Sequence, residues 1–219
     1  MRHTSGLVLA AMAIAGCSTL SPEADLKTVK PVGQKMEEMP TPTSDAVVSI
    51  DLGSLSLQDM RLGDDFMGTA DLAVEQRKDA DGAYSFIQFT PRPGMSKWIT
   101  TIIGLPQVDF ADGIEWMELE AWNPGVPLRI VVDATDQDAD CFEIGFCPND
   151  TVWEGWRTFR VPTVGERFVQ GDTDLRRTIK PPVGIKWMIV IMRQGLPWQL
   201  GLRDLRVKPL STAAPLRLK

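Results

Sequence analysis

The sequence predicts an all-β fold, a two-sheet antiparallel β-sandwich preceded by a disordered tether. Three observations carry that reading. Short runs rich in Val, Ile, Trp, Phe and Thr recur between clusters of Gly, Pro, Asn and Asp. No segment holds a long 3.6-residue apolar period. No repeat of fixed length is visible, which argues against propellers and solenoids.

The chain opens with a three-part leader, residues 1–16. Arg2 supplies a positive start, Gly6 to Ala15 is almost wholly apolar, and Ala15-Gly16 precede Cys17. The run is too short for a spanning helix, which takes about 20 apolar residues. Ile14-Ala15-Gly16-Cys17 resembles a bacterial lipobox. That resemblance implies a diacylglyceryl thioether on Cys17 and an acyl chain such as palmitate on its amine. The partner is then membrane lipid, because two or three chains suffice for stable anchoring. Ser18 stands where an Asp would resemble the inner-membrane retention signal, so the expected address is the outer membrane of a bacterial envelope.

Residues 17–45 are expected to be a flexible tether. They carry Pro22, Pro31, Pro40 and Pro42 among Ser, Thr, Lys and Glu, a composition that buries too little surface to offset its ordering entropy. Residues 46–208 form one expected domain, and 209–219 a loose tail. Expected strands are 46–51, 70–76, 83–90, 96–103, 114–121, 128–134, 157–161, 185–192 and 199–207. Asp81-Gly82, Asp112-Gly113, Asn123-Pro124-Gly125 and Pro181-Pro182 mark turns. Alternation orients two strands. Met117, Leu119 and Ala121 share one face, opposite Trp116, Glu118, Glu120 and Trp122; Leu128, Ile130, Val132 and Ala134 share a face opposite Arg129, Val131 and Asp133. The run from Ile185 to Met192 is apolar on both sides, which predicts a central strand.

Composition excludes several functions. The chain carries a net charge of −6, and the leader takes away Arg2 but no acid. No basic stripe appears, so nucleic acid is a poor partner. The one histidine, His3, lies in the leader. The mature chain therefore has no Ser-His-Asp or Cys-His catalysis and almost no route to a His-ligated metal.

Four segments resemble the galactose-binding-like jelly rolls: 81–90 (DGAYSFIQFT), 116–125 (WMELEAWNPG), 156–162 (WRTFRVP) and 198–210 (WQLGLRDLRVKPL). The resemblance spans about residues 65–210. It implies a jelly-roll sandwich of the kind found in carbohydrate-binding modules beside glycan-degrading enzymes, and it reads Trp156 as core. Asp204 occupies the place of the usual acidic residue of the closing strand. Arg203 stands where many relatives carry a second acid, which weakens a transferred structural calcium site.

Seven Trp against one Tyr suit stacking on sugar rings. The candidate ligand-binding set is Trp116, Glu118, Glu120, Trp122 and Asn123 on one strand, joined by Arg129, Arg160 and Trp198. The expectation is a non-catalytic, carbohydrate-binding lipoprotein with polysaccharide as a partner. Two alternatives stand beside it. One is a structural or assembly lipoprotein that binds another envelope protein. The other is a glycoside hydrolase using Glu118 and Glu120, whose Cα atoms sit about 7 Å apart on one strand face.

Residues 133–150 hold six acids and no Lys or Arg. They read as a solvated hairpin, with calcium at Asp136, Asp138 and Asp140 as the alternative. Cys141 and Cys147 are expected to form a local disulfide across the tip of that hairpin, since an exported chain can oxidise.

Overall fold

A computed structural model of the chain describes residues 47–63, 70–92, 99–148, 150–171, 173, 175–192 and 197–210. The lipobox with Cys17, the tether and most of the tail lie outside the described residues. Among the described residues, thirteen strands, numbered in chain order, make two antiparallel sheets. The first holds β1 (Val48–Asp51), β3 (Ala70–Asp79), β4 (Gly82–Pro91), β6 (Ile114–Pro124), β9 (Glu154–Pro162) and β13 (Trp198–Pro209). Its order is β3-β4-β13-β6-β9, with β1 also paired to β13. The second holds β2 (Met60–Leu62), β5 (Ile99–Phe110), β7 (Arg129–Thr135), β8 (Cys141–Gly145), β10 (Phe168–Gln170), β11 (Arg176–Arg177) and β12 (Val183–Met192). Its order is β11-β10-β8-β7-β12-β5-β2.

The alternation read from sequence sets the core. Met117, Leu119 and Ala121 from β6 face Leu128, Ile130, Val132 and Ala134 across the interior, each fully shielded. Burying such side chains contributes about 25 cal/mol per Å² of apolar surface. β12 pairs with β7 on one side and β5 on the other, the central place its apolar sequence calls for. The β3–β4 hairpin turns at Ala80-Asp81, where Asp79 accepts the Asp81 amide at 3.0 Å. Gly82 closes it at φ 134°, a conformation other residues avoid.

Two register shifts break the alternation. In β12 the shift lies between Ile185 and Trp187. Val183 and Ile185 point inward, then Met188 and Val190 do, so the inward parity changes and Trp187 turns outward. In β13 the shift lies between Leu202 and Leu205: Arg203 keeps the outward parity of Gly201, and the extra residue returns Leu205 and Val207 to the interior.

Residues 133–150 do contain a hairpin, β7–β8, but its tip lies at residues 136–140, and the stretch between the two cysteines is mostly strand. Cys141 begins β8, Gly145 ends it, and Cys147 lies two residues further on. Four residues of extended chain already span about 13 Å, whereas a disulfide needs Cα atoms within about 7 Å. Cys147 is a free thiol, buried and donating to the Leu128 carbonyl at 3.7 Å. The expected Cys141–Cys147 disulfide is therefore absent, because the intervening residues pair with β7 and hold the cysteines apart.

Candidate functional site

The outer side of the first sheet gathers five of the sequence-predicted residues. Trp116, Glu118, Glu120 and Trp122 project from β6, and Arg160 stands opposite Glu118 on β9. One transverse row runs Phe86, Gly201, Trp122, Trp156 across four strands. A side chain at Gly201 would meet Trp122 at 3.0 Å and Trp156 at 3.3 Å, so glycine lets the indoles lie across the sheet. Trp156 is thus half-buried on the outside and not in the core. Sequence reasoning also missed Tyr84, 5.1 Å from Trp156 edge to face, and Arg203.

Polar groups on this side are spent on one another. Arg203, 6 % exposed, reaches Asp79 at 2.7 and 2.8 Å, binds Glu120, and lies 4.0 Å from the Trp156 ring centre. Arg206 pairs with Glu118 at 2.9 Å. Arg160 covers Trp116 at 3.9 Å, and Arg77 covers Phe86 at 3.6 Å. Glu118 and Glu120 are thus each held by an arginine, a poor arrangement for an acid and base that must exchange protons.

The other predicted residues fall elsewhere. Asn123 is fully buried and pins its turn: it donates to the Val126 carbonyl at 2.6 Å and accepts from the amides of Gly125 and Val126. Trp198 is 2 % exposed and stacks on Phe89 in the core, 5.3 Å centre to centre. Arg129 belongs to the other sheet. Asp136 accepts the amides of Asp138 and Asp140, at 2.9 and 3.2 Å, as a turn-forming residue. Asp138 pairs with Lys180 at 2.6 Å. Among the described residues, no group of three potential ligands converges as calcium at Asp136, Asp138 and Asp140 requires.

The outer side of the second sheet is built differently. One transverse row runs Gly104, Trp187, Asp133, Glu143, Val169 across β5, β12, β7, β8 and β10. The next runs Arg61, Ile102, Ile189, Val131, Gly145. Trp187 leans over Gly104, its Cζ3 atom 3.4 Å from where a Cβ would stand. Arg61 and Lys186 flank the ring at 5.5 and 5.2 Å. Ile102 and Ile189 add a half-buried aliphatic floor. Arg129 reaches Glu143 at 2.5 Å, spanning the Val131–Gly145 pair. Gly145 leaves room for that bridge, and Val131 beneath it is fully shielded although it points outward.

Asp133 stands opposite Glu143 in the ladder, and Arg129 is engaged with Glu143. Among the described residues no hydrogen bond or ion pair reaches the Asp133 carboxyl. Its pKa is pushed up to about 7, first by burial and then by the negative charge of Glu143, with Arg129 opposing. A half-buried carboxyl of perturbed pKa beside an aromatic platform marks a candidate binding site. Sequence reading found only Arg129 of this group. The missing signal is the β12 register shift, which periodicity cannot show.

The solved structures similar to this chain share its architecture. The solution structure of CtCBM11 superposes with a TM-score of 0.50 at 12% identity, covering 77% of this chain and 98% of that one. The fold is similar to that of carbohydrate-binding modules. A family 11 carbohydrate-binding module from Clostridium thermocellum, in complex with a β-1,3-1,4-mixed-linked tetrasaccharide, gives 0.49 at 12% identity over 76% of this chain and 98% of that one. TmCBM61 in complex with β-1,4-galactotriose gives 0.41 at 9% identity over 73% and 94%. The sequence matches no family model and no curated protein.

Proposed function

We propose that this chain is a lipid-anchored, non-catalytic carbohydrate-binding protein that holds its ligand on the outer side of the second sheet. The observation that carries the reading is Trp187, laid over Gly104 beside the Asp133–Glu143 pair. An indole next to an aliphatic floor offers stacking surface for the C–H face of a sugar. Asp133, Glu143 and Arg129 offer the placed polar groups that orient hydroxyls. The likeness in fold to carbohydrate-binding modules supports the same reading. The first sheet suits it less, because Arg160 lies only 3.9 Å over Trp116, closer than either cation at Trp187, and Glu118 and Glu120 are both paired with arginines.

A non-catalytic role fits the absence of histidine from the mature chain. The anchor rests on Ile14-Ala15-Gly16-Cys17, with Ser18 favouring an outer-membrane address. Polysaccharide is the proposed partner, and residues 17–45 are the proposed spacer.

Isothermal titration against soluble polysaccharides tests the binding role. Wild type binds a neutral polysaccharide, Trp187→Ala loses most of the affinity, and Trp116→Ala and Trp122→Ala retain it. Silence across neutral, acidic and basic polysaccharides overturns the proposal, and full affinity in Trp187→Ala overturns the placement. Labelled palmitate incorporated into wild type but not into Cys17→Ala tests the anchor.

A further inference from the structure

We propose that Asp133 fixes the ligand class of this face: its protonated carboxyl donates a hydrogen bond to a hydroxyl of an uncharged sugar, so that capture of the ligand takes up a proton. This rests on the second-sheet reading above.

Two carboxylates stand at directly opposed positions of the β7–β8 ladder. The one arginine beside them, Arg129, is committed to Glu143 at 2.5 Å. On β12, Trp187 is the ladder partner of Asp133, with its ring turned toward Gly104, and the neighbouring Lys186 lies over the indole at 5.2 Å. β5 offers Gly104 beyond Trp187, and β10 offers Val169 beyond Glu143. An ionised Asp133 is therefore a half-buried charge with no ion-pair partner among the described residues, and Arg129 offsets it only from its place on Glu143.

A ligand stacked on Trp187 would cover this carboxyl further from solvent. An uncharged sugar brings no counter-charge, so covering the anion is costly. The protonated carboxyl removes the charge and gains a donor. The Arg129–Glu143 bridge supplies the complementary acceptors and donors beside it. An acidic sugar would add a further negative charge to the pair. A basic amino sugar would instead favour the ionised carboxylate and release the proton.

Linkage then sets the pH dependence. Asp133 in the free protein titrates at about 7, so a ligand that prefers the protonated form loses about 10- to 30-fold in affinity between pH 6 and pH 8.5. The experiment titrates the whole protein with soluble mixed-linkage β-glucan, galactan, polygalacturonate and chitosan oligosaccharide at both pH values. Buffers of different ionisation enthalpy are used, so that proton uptake is counted directly. A neutral glycan should bind more tightly at pH 6 and take up a fraction of a proton per ligand near pH 7.5. Asp133→Asn, whose amide also donates, should bind equally at both pH values with no proton uptake.

Neutral-glycan affinity independent of pH in wild type overturns the inference while leaving the binding role standing. So does pH dependence that persists in Asp133→Asn, or a preference for chitosan oligosaccharide with proton release. Absence of binding to all four probes at both pH values overturns the binding role itself.

Discussion

Trp187 lies over Gly104, its Cζ3 atom 3.4 Å from where a Cβ would stand, so a methyl group would just touch the ring and any larger side chain would push it off the sheet. The platform therefore depends on two positions from neighbouring strands that are far apart in sequence.

Enlarging Gly104 should displace the indole without touching the core, since its side chain would point outward. Gly104→Val is expected to cut glycan affinity by about tenfold, while costing about 1–3 kcal/mol of stability for the overpacked contact. Titration together with urea unfolding separates the two effects. Unaltered affinity would mean that the ring does not carry the ligand.

Asp133 gives a stability signature with a definite sign. Its carboxyl sits at about 7 in the folded chain against the ordinary 3.8. The folded state then holds the proton more tightly than the unfolded state between those values, so stability falls as pH rises through that window and levels off above it. Asp133→Asn should stabilise the protein relative to wild type by about 1–3 kcal/mol at pH 8.5, with the difference shrinking as pH approaches 4. Thermal melts of both proteins across pH 4 to 8.5 measure this, and parallel curves would refute it.

Arg203 joins three strands through Glu120 on β6, Asp79 on β3 and the Trp156 ring on β9. Removing it strands two acids in a half-buried place and takes away a stacked cation. Arg203→Ala should cost about 2–4 kcal/mol in urea unfolding, whereas Glu120→Gln, which keeps a polar partner, should cost about 1 kcal/mol. Glycan affinity at the second sheet should stay unchanged in both variants.

Cys147 offers a check on the cysteine chemistry. Burial raises its thiol pKa above the ordinary value, which suppresses the reactive thiolate. Iodoacetamide should modify it slowly in the folded protein and rapidly in urea. A Cys141–Cys147 crosslinked peptide after non-reducing digestion would contradict the strand that separates them.

The sequence alone determined the class of fold and much of the core, because a period of two in Met117, Leu119 and Ala121, or in Ile130, Val132 and Ala134, has one solution once two sheets must bury it. The doubly apolar run of β12 likewise called for neighbours on both sides. The projection of Trp116, Glu118, Glu120 and Trp122 from β6 to one face was legible for the same reason. What periodicity could not supply was what those residues meet. Arg203 neutralises Glu120 from a strand far along the chain, and Asn123 and Trp198, polar or amphipathic by type, turn inward to brace a turn and fill the core.

Only the tertiary structure decided the binding face. A one-residue shift inside β12 reverses which side chains look outward, and no local preference announces it. That shift aims Trp187 at solvent. Ladder pairing then sets Asp133 against Glu143, and a salt bridge over Gly145 leaves one of those two carboxyls without an ion-pair partner among the described residues. Register between strands is a long-range property, settled by how both sheets close over a common interior.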